Sequence, residues 1–322
     1  MKAIVNNEYG SPDLLRLQEI DKPAVDDDGV LVRVSAASVN PYDWHFMRGR
    51  PYVMRLMTGR RRPKQSVRGV DVAGYVEAVG KNVTQFRPDD EVFGAGWSGA
   101  FAEYVRGGEN DFTRKPSGLT FEQAAAIPMA GCTALQALRD RGQLQPGQSV
   151  LVNGAAGGVG TFAVQIAKAL GGEVTGVCST GNVEAVRSIG ADQLVDYTLE
   201  DFTRKGQRYD LIIDTVGNRS LTALRRALTP KGTLLLLGGG GGRLLGPLPY
   251  LLRARVLSPF VGPRMLMFMA QLRKEDLVVL AELVEAGKIN PVVGRTYPLS
   301  EAPEAIRYLE TGHARGKTII TV

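Results

Sequence analysis

Cysteine is nearly absent. Cys132 and Cys178 are the only two in 322 residues, so at most one bridge can form and a disulfide scaffold is excluded. Both read as small, buried hydrophobes. The N-terminus lacks the basic region, apolar stretch and small-residue cleavage site of a signal peptide, opening instead on an apparent strand at Met1–Val5; the expectation is a cytoplasmic location. Long hydrophobic runs are missing too. The longest, Leu244–Leu252, contains Pro247 and Pro249 and falls far short of the roughly 20 residues that cross a bilayer. Acidic residues are missing from one place, the segment from Arg48 to Arg68, which carries eight Lys/Arg and no Asp or Glu. Without those eight, the 39 basic residues become 31 against 33 acidic ones. The net charge of +6 therefore belongs to one loop, and a nucleic-acid partner is not implied. The loop is either a solvated surface or a guide that draws an anionic ligand toward a cleft.

What is present describes a folded α/β chain of two domains, since 322 residues with 44% hydrophobic and 22% charged composition exceed one ordinary core. Up to about residue 115 the chain reads as short strands: Leu31–Val34, Val72–Val79, Glu91–Gly94 and Ala102–Val105. At Thr120, with Gln123 at capping-box spacing, a helix is expected. From Ser149 onward, strand-like runs (Val150–Val152, Val174–Val177, Leu194–Asp196, Leu211–Asp214, Thr233–Leu237) alternate with helix-like segments, which predicts a doubly wound parallel sheet. The helix of Val159, Phe162, Ile166 and Leu170 stops at Gly171-Gly172. After Pro263 a helical pattern (Leu277, Leu280, Ala281, Val284) leads to a strand-rich tail ending in Lys317–Val322, expected to rejoin the first domain. The predicted division is 1–120 plus 261–322, and 121–260.

The run Val150-Leu151-Val152-Asn153-Gly154-Ala155-Ala156-Gly157-Gly158-Val159-Gly160 sits where a nucleotide fold places its phosphate-binding turn. Glycines allow a sharp turn and close approach to a pyrophosphate, and the following helix offers unpaired N–H groups and its positive dipole end. Ala155 replaces the first glycine of G-x-G-x-x-G, while Gly157 and Gly160 remain. About 20 residues on, where NAD enzymes place an acid against the ribose hydroxyl, the chain reads Cys178-Ser179-Thr180-Gly181-Asn182. Hydroxyls and an amide there donate to a 2′-phosphate that a carboxylate would repel, so NADPH is the expected cofactor. The same residues also suit a helix cap.

With these segments, Ser38-Val39-Asn40-Pro41-Tyr42-Asp43, Arg68-Gly69-Val70-Asp71-Val72-Ala73-Gly74, Gly99-Ala100-Phe101-Ala102-Glu103-Tyr104, Gly131-Cys132-Thr133-Ala134 and Gly190-Ala191-Asp192, the chain resembles the zinc-free quinone oxidoreductase branch of the medium-chain dehydrogenase/reductase superfamily over nearly its whole length. The resemblance implies a GroES-like β-rich catalytic domain built from both chain ends, a Rossmann domain between them, the active site in the cleft, and a homodimer joined through the last nucleotide-domain strand, near Val256–Val261. It places Asn40 beside the nicotinamide and Thr133 near it. Gly157, Gly158 and Val159 would hold the pyrophosphate, Ser179, Thr180, Asn182 and Tyr197 the adenosine phosphate, and Val216 and Gly238 other parts of the cofactor. Gly181 stands where a Lys or Arg is common. Lys317 is either near the cofactor or a surface charge.

Zinc-dependent relatives take ligands at positions that correspond here to Asn40, Val70 and Met129, which form no zinc set, and two cysteines cannot build a four-cysteine lobe. No metal is expected. Without a Lewis acid, quinones and α,β-unsaturated carbonyls are the accessible hydride acceptors, because the negative charge delocalises onto oxygen. The spacing Asn40-x-Tyr42-Asp43-x-His45 resembles a proton relay of hydroxyl and histidine, making Asn40, Tyr42 and His45 the candidate catalytic residues. The other reading of His45 is a packed or exposed imidazole. Alternatives to the quinone or enone reductase are an alcohol or aldehyde reductase using that relay, and an NADPH-binding sensor or peripheral membrane protein contacting lipid through the basic loop and Leu244–Phe268.

Overall fold

Short apolar runs bounded by turn residues build seven strands within the first 115 positions: β1 (Lys2–Val5), β2 (Arg16–Glu19), β3 (Gly29–Val39), β4 (Asp71–Val79), β5 (Glu91–Ala95), β6 (Tyr104–Gly108) and β7 (Phe112–Arg114). In this computed structural model, residues 1–238 and 262–322 are described; the run Leu244–Leu252 and the expected dimer strand Val256–Val261 lie outside them. β1 and β2 pair as an antiparallel ribbon. β3 is the spine of a larger sheet, pairing antiparallel with β4 and with β6. Nine of the eleven residues of β3 are buried, with Arg33 exposed and Ser35 half-buried, so both faces of this central strand are largely covered. Helices α1 (Pro41–Arg48) and α2 (Arg55–Thr58) occupy the connection from β3 to β4. Proline suits the first position of α1, and Gly49, at φ +58°, ends it in the left-handed conformation. Phe93, Phe101 and Phe112 are fully buried in this core, where truncation to alanine costs about 3–5 kcal/mol each.

Two helices follow, α3 (Phe121–Ala125) and α4 (Pro128–Leu135). The capping box at Thr120 forms, with Gln123 N–H donating to Thr120 Oγ1 and Thr120 N–H to Gln123 Oε1. Then strand and helix alternate: β8 (Ser149–Asn153), α5 (Gly158–Ala169), β9 (Glu173–Cys178), α6 (Val183–Ser188), β10 (Gln193–Asp196), β11 (Tyr209–Asp214), α7 (Leu221–Arg226), β12 (Leu228–Leu236) and β13 (Arg264–Met267). The sheet order is β10-β9-β8-β11-β12-β13 and every pair is parallel. Numbered within the sheet this is 3-2-1-4-5-6, the Rossmann order. Gly171, at φ +83°, ends α5 as expected.

The chain closes with α8 (Lys274–Glu285), β14 (Val293–Pro298), α9 (Ala302–Glu310) and β15 (Lys317–Thr321). β15 pairs antiparallel with β3 and parallel with β14. The tail therefore completes the first sheet. Two compact units result: Met1–Cys132 with Leu272–Gly287 and Pro291–Val322, and Thr133–Gln271 with Lys288–Asn290. These bounds differ from 120 and 260. α3 packs on β3 and β4 of the first unit, which moves the first boundary later. β13, a Met- and Leu-containing strand without β-branched residues, has no strand signature of its own and is defined by its pairing with β12.

Candidate active site

Asn40 leaves β3 and caps α1. Its backbone N–H donates to Asp43 Oδ2 at 2.7 Å, which frees the Asn40 amide to face the other way. Asn40 Nδ2 donates to Asp71 Oδ2 (2.9 Å) and to the Ser38 carbonyl (3.3 Å), and Asn40 Oδ1 accepts from Lys317 Nζ at 2.6 Å. Asp71, the first residue of β4, also accepts from Ser38 Oγ (2.8 Å), Met129 N–H (3.0 Å) and Lys317 Nζ (3.4 Å). Ser38, Asn40, Asp71 and Lys317 are between 0 and 3% exposed. A buried ion pair persists only when its remaining donors and acceptors are met, and the partners named here meet them. Burial pulls the Lys317 ammonium below the usual lysine range, opposed by Asp71 and Asp43. The surface alternative for Lys317 is thus corrected.

Asp43 is the second buried acid. Its Oδ1 accepts Gly69 N–H at 3.2 Å; Gly69 has φ +92°, and a Cβ there would run into the Phe101 ring and backbone. Burial raises the Asp43 pKa to about 7, opposed by the Asn40 N–H, with Asp71 raising it further and Lys317 and Arg68 lowering it.

Tyr42 and His45 lie on α1. Tyr42 stacks on Phe46, with ring centroids 4.0 Å apart, and meets Trp97 edge-on at 6.4 Å; burial pushes its phenol above the usual range. The His45 ring lies on Trp44, and its Nδ1 is 2.9 Å from the Arg50 carbonyl. A carbonyl only accepts, so Nδ1 carries the hydrogen and Nε2 is the acceptor of the neutral ring. Burial holds the His45 pKa below its ordinary value. Among the described residues, no hydrogen bond joins Tyr42 to His45.

In the second unit the strand order reverses between β8 and β11, the position at which α/β sheets bind ligands at their carboxyl ends. β8 ends at Asn153, whose Nδ2 donates to Asp214 Oδ1 at 2.9 Å; that oxygen also accepts the N–H groups of Val216 and Gly217. Gly154 turns at φ +87°, and a Cβ on it would press on Thr215. The tight turn therefore falls on Gly154, one residue before Ala155, and the working pattern is Gly154-x-x-Gly157-x-x-Gly160. A Cβ on Gly160 would strike the Gly154 carbonyl, whereas one on Gly157 would meet nothing nearer than 3.4 Å. The first helical bond of α5 is Thr161 N–H to Gly157 O, 2.9 Å. The N–H groups of Gly158, Val159 and Gly160 precede it and have no helical acceptor.

Ser179 follows β9 directly, and its Oγ accepts from Asn182 Nδ2 at 3.0 Å. Thr180 Oγ1 lies 3.0 Å from Thr198 Oγ1, which donates to Asp196 Oδ1. Asp196, at the end of β10, was not singled out by the sequence pattern; hydrogen bonds from Thr180 and Thr198 hold its carboxyl below the usual range. Arg187 pairs with Glu184 on α6. Tyr197 and Val216 are exposed, Thr133 and Gly238 half-buried.

Comparison with known proteins bears on both units. Residues 26–137 match the family described as "Alcohol dehydrogenase GroES-like domain" and residues 189–320 the one described as "Zinc-binding dehydrogenase". The mouse mitochondrial NAD(P)H oxidoreductase RTN4IP1 is 37% identical, covering 100% of this chain and 89% of that protein. The Arabidopsis thaliana chloroplastic NADPH-dependent alkenal/one oxidoreductase is 33% identical, covering 99% and 79%. The structure of the Coxiella burnetii quinone oxidoreductase superposes with a TM-score of 0.87 at 31% identity, covering 100% and 99%. The chain belongs to the medium-chain dehydrogenase/reductase superfamily, in its quinone oxidoreductase-like branch. This medium-chain reductase has the GroES-like and Rossmann units that its sequence predicts. Its acids Asp43 and Asp71 carried no assigned role in the sequence, although Asp43 stands at capping distance from Asn40 and Asp71 lies within the family segment Arg68–Gly74. The reductase's only two cysteines, Cys132 and Cys178, are buried and unbridged.

Proposed function

We propose that this chain is an NADPH-dependent reductase that transfers a hydride to a quinone or an α,β-unsaturated carbonyl compound without zinc. The observation that carries this reading is the Lys317 ammonium 2.6 Å from Asn40 Oδ1: the position that supplies a metal ligand in zinc-dependent relatives holds an amide spent on a lysine and an aspartate. Neighbouring Val70 and Met129 add no ligand suited to zinc. The activities for which its relatives are named, an NADPH-dependent alkenal/one oxidoreductase and a quinone oxidoreductase among them, support the same acceptor class.

The residues of the second unit fit the cofactor. NADPH, when bound, supplies the hydride from its nicotinamide ring. The room left beside Gly157 and the N–H groups of Gly158, Val159 and Gly160, which have no helical acceptor, suit its pyrophosphate. Ser179, Thr180, Asn182 and Tyr197 are assigned to the 2′-phosphate end, and Thr133, Val216, Gly238, Asn40 and Lys317 to the rest of the cofactor. Tyr42, kept as a phenol, is the proton donor in this reading; neutral His45 takes a proton from solvent at Nε2 and returns it, through water, to the phenolate that Tyr42 leaves. A quinone or enone needs only this, because its oxygen takes the charge before the proton arrives.

Among the described residues no helix is long and apolar enough to cross a membrane. A cytoplasmic homodimer is part of the proposal, and cell fractionation and sedimentation equilibrium test it. For the activity, NADPH oxidation is followed with a panel of quinones, enones and saturated aldehydes, before and after chelator dialysis. Quinone or enone turnover that survives the chelator is expected. Equal kcat/KM for saturated aldehydes would turn the assignment to a carbonyl reductase.

A further inference from the structure

Several exposed bases on the first unit meet acids: Lys22 pairs with Glu77 at 2.6 Å, Lys81 with Asp27 at 2.8 Å and Arg114 with Asp90 at 2.9 Å. The segment between α1 and β4 differs. Arg60, Arg61, Arg62 and Lys64 are exposed, and none of them pairs with an acid among the described residues. Like charges held together without counter-charges repel one another, so this surface favours an anionic partner from outside the chain.

The same segment exposes apolar side chains. The helical turn Tyr52–Met54 runs directly into α2, and Tyr52, Val53 and Leu56 are 39, 38 and 75% exposed. A single exposed leucine is ordinary. Three apolar side chains within five positions, followed at once by four bases, form an amphipathic surface. It is also preformed. Arg55 lies 4.4 Å over the Tyr9 ring and its Nε donates to the Gly49 carbonyl at 3.0 Å. Tyr9 Oη donates to the Gly59 carbonyl at 2.7 Å, and Lys64 N–H donates to the Thr58 carbonyl at 2.8 Å, closing the loop that carries the three arginines. Docking therefore orders little backbone. A nucleic acid would stack its bases on aromatic rings, but Tyr52 already lies under the guanidinium groups of Arg55 and Arg50, 4.7 and 6.0 Å from its centroid. An anionic bilayer takes bases at its headgroups and apolar side chains at the acyl boundary, with no shape to match.

We propose that the segment Tyr52–Lys64 docks the protein on an anionic phospholipid membrane, with Val53 and Leu56 entering the interface and the four bases on the headgroups. This goes beyond the reductase reading and does not depend on it; on that reading, docking brings the reductase to acceptors dissolved in the bilayer. The test is flotation of the purified chain with phosphatidylcholine vesicles, with and without about 30 mol% phosphatidylglycerol. No turnover is involved, so its failure and the failure of the reductase reading are separate results. The wild type should float with the anionic vesicles only, and should lose them at about 0.5 M NaCl, where exposed charges are screened. The combined variant Arg60→Gln, Arg61→Gln, Arg62→Gln and Lys64→Gln should partition about 100- to 1000-fold less, since each base near the surface is worth about fivefold. Leu56→Gln, which keeps every charge, should partition about tenfold less. Circular dichroism checks that both variants are folded. No binding to anionic vesicles at low salt, equal binding to neutral ones, or binding untouched by the four substitutions overturns the proposal. Binding unchanged in Leu56→Gln leaves charge as the only attraction and overturns the apolar insertion. Retention on immobilised polyglutamate by a wild type that does not float assigns the segment to an acidic protein, and overturns the membrane as its partner.

Discussion

Lys317 and Asp71 are withdrawn from solvent together, and neither is tolerable there alone. Lys317→Met leaves the Asp71 carboxylate with Ser38, Asn40 and the Met129 N–H but no cation, a loss of about 3–5 kcal/mol. Adding Asp71→Asn should recover much of it, and denaturant unfolding of the single and double variants checks this. Asp43 makes a prediction about pH. Its pKa is about 7 in the folded protein, against an ordinary value of 3.8, so the folded protein holds more protons between these values. Its contribution to stability is present in full below about pH 4 and is lost as pH rises through about 7. Asp71, Lys317, Arg68 and Tyr42 are the charged or titratable groups that face it. His45, whose pKa is lowered by burial, acts with the opposite sign, losing stability as pH falls below its unfolded value. Asp43→Asn should therefore narrow the difference from wild type as pH is raised, read as Tm at pH about 5 and about 8. Asn40 and Lys317 were both visible in the sequence as site residues. Their bond was not, because no local pattern relates positions 277 residues apart.

The glycine turn separates two kinds of requirement within one element. Gly154 and Gly160 are needed by the backbone itself, one for a positive φ and the other for close approach to the Gly154 carbonyl. Gly157 has room for a methyl group in the protein but faces the proposed phosphate site. Gly160→Ala should cost about 1–3 kcal/mol in stability. Gly157→Ala should leave Tm nearly unchanged and weaken NADPH binding about tenfold, or about 1.4 kcal/mol, in a fluorescence titration. Both are expected outcomes for one helix N-terminus. The βα alternation and five of the six Rossmann strands were legible because apolar runs bounded by glycine and polar turns are local signals. Gly154 was passed over because φ depends on how the turn closes, and β13 because its partner supplies its identity.

At the scale of the molecule, the last strand decides the catalytic unit. β15 inserts between β14 and β3 and carries Lys317 on its first residue, so the C-terminal segment contributes both a strand and the buried cation. For the other unit, NADPH at about 100 times its Kd should raise unfolding free energy by about 2.7 kcal/mol; no shift in the denaturation midpoint would deny it a cofactor site. Composition, strand alternation and the glycine run were enough to specify an α/β chain with a nucleotide-binding domain inside a split β-rich one, since each is a periodic or turn-specific property of neighbouring residues. Which charges are buried, which amide is already occupied and which bases are left without an acid were settled only by tertiary structure. These depend on desolvation and on contacts between segments remote in sequence, and a residue's neighbours along the chain carry no record of either.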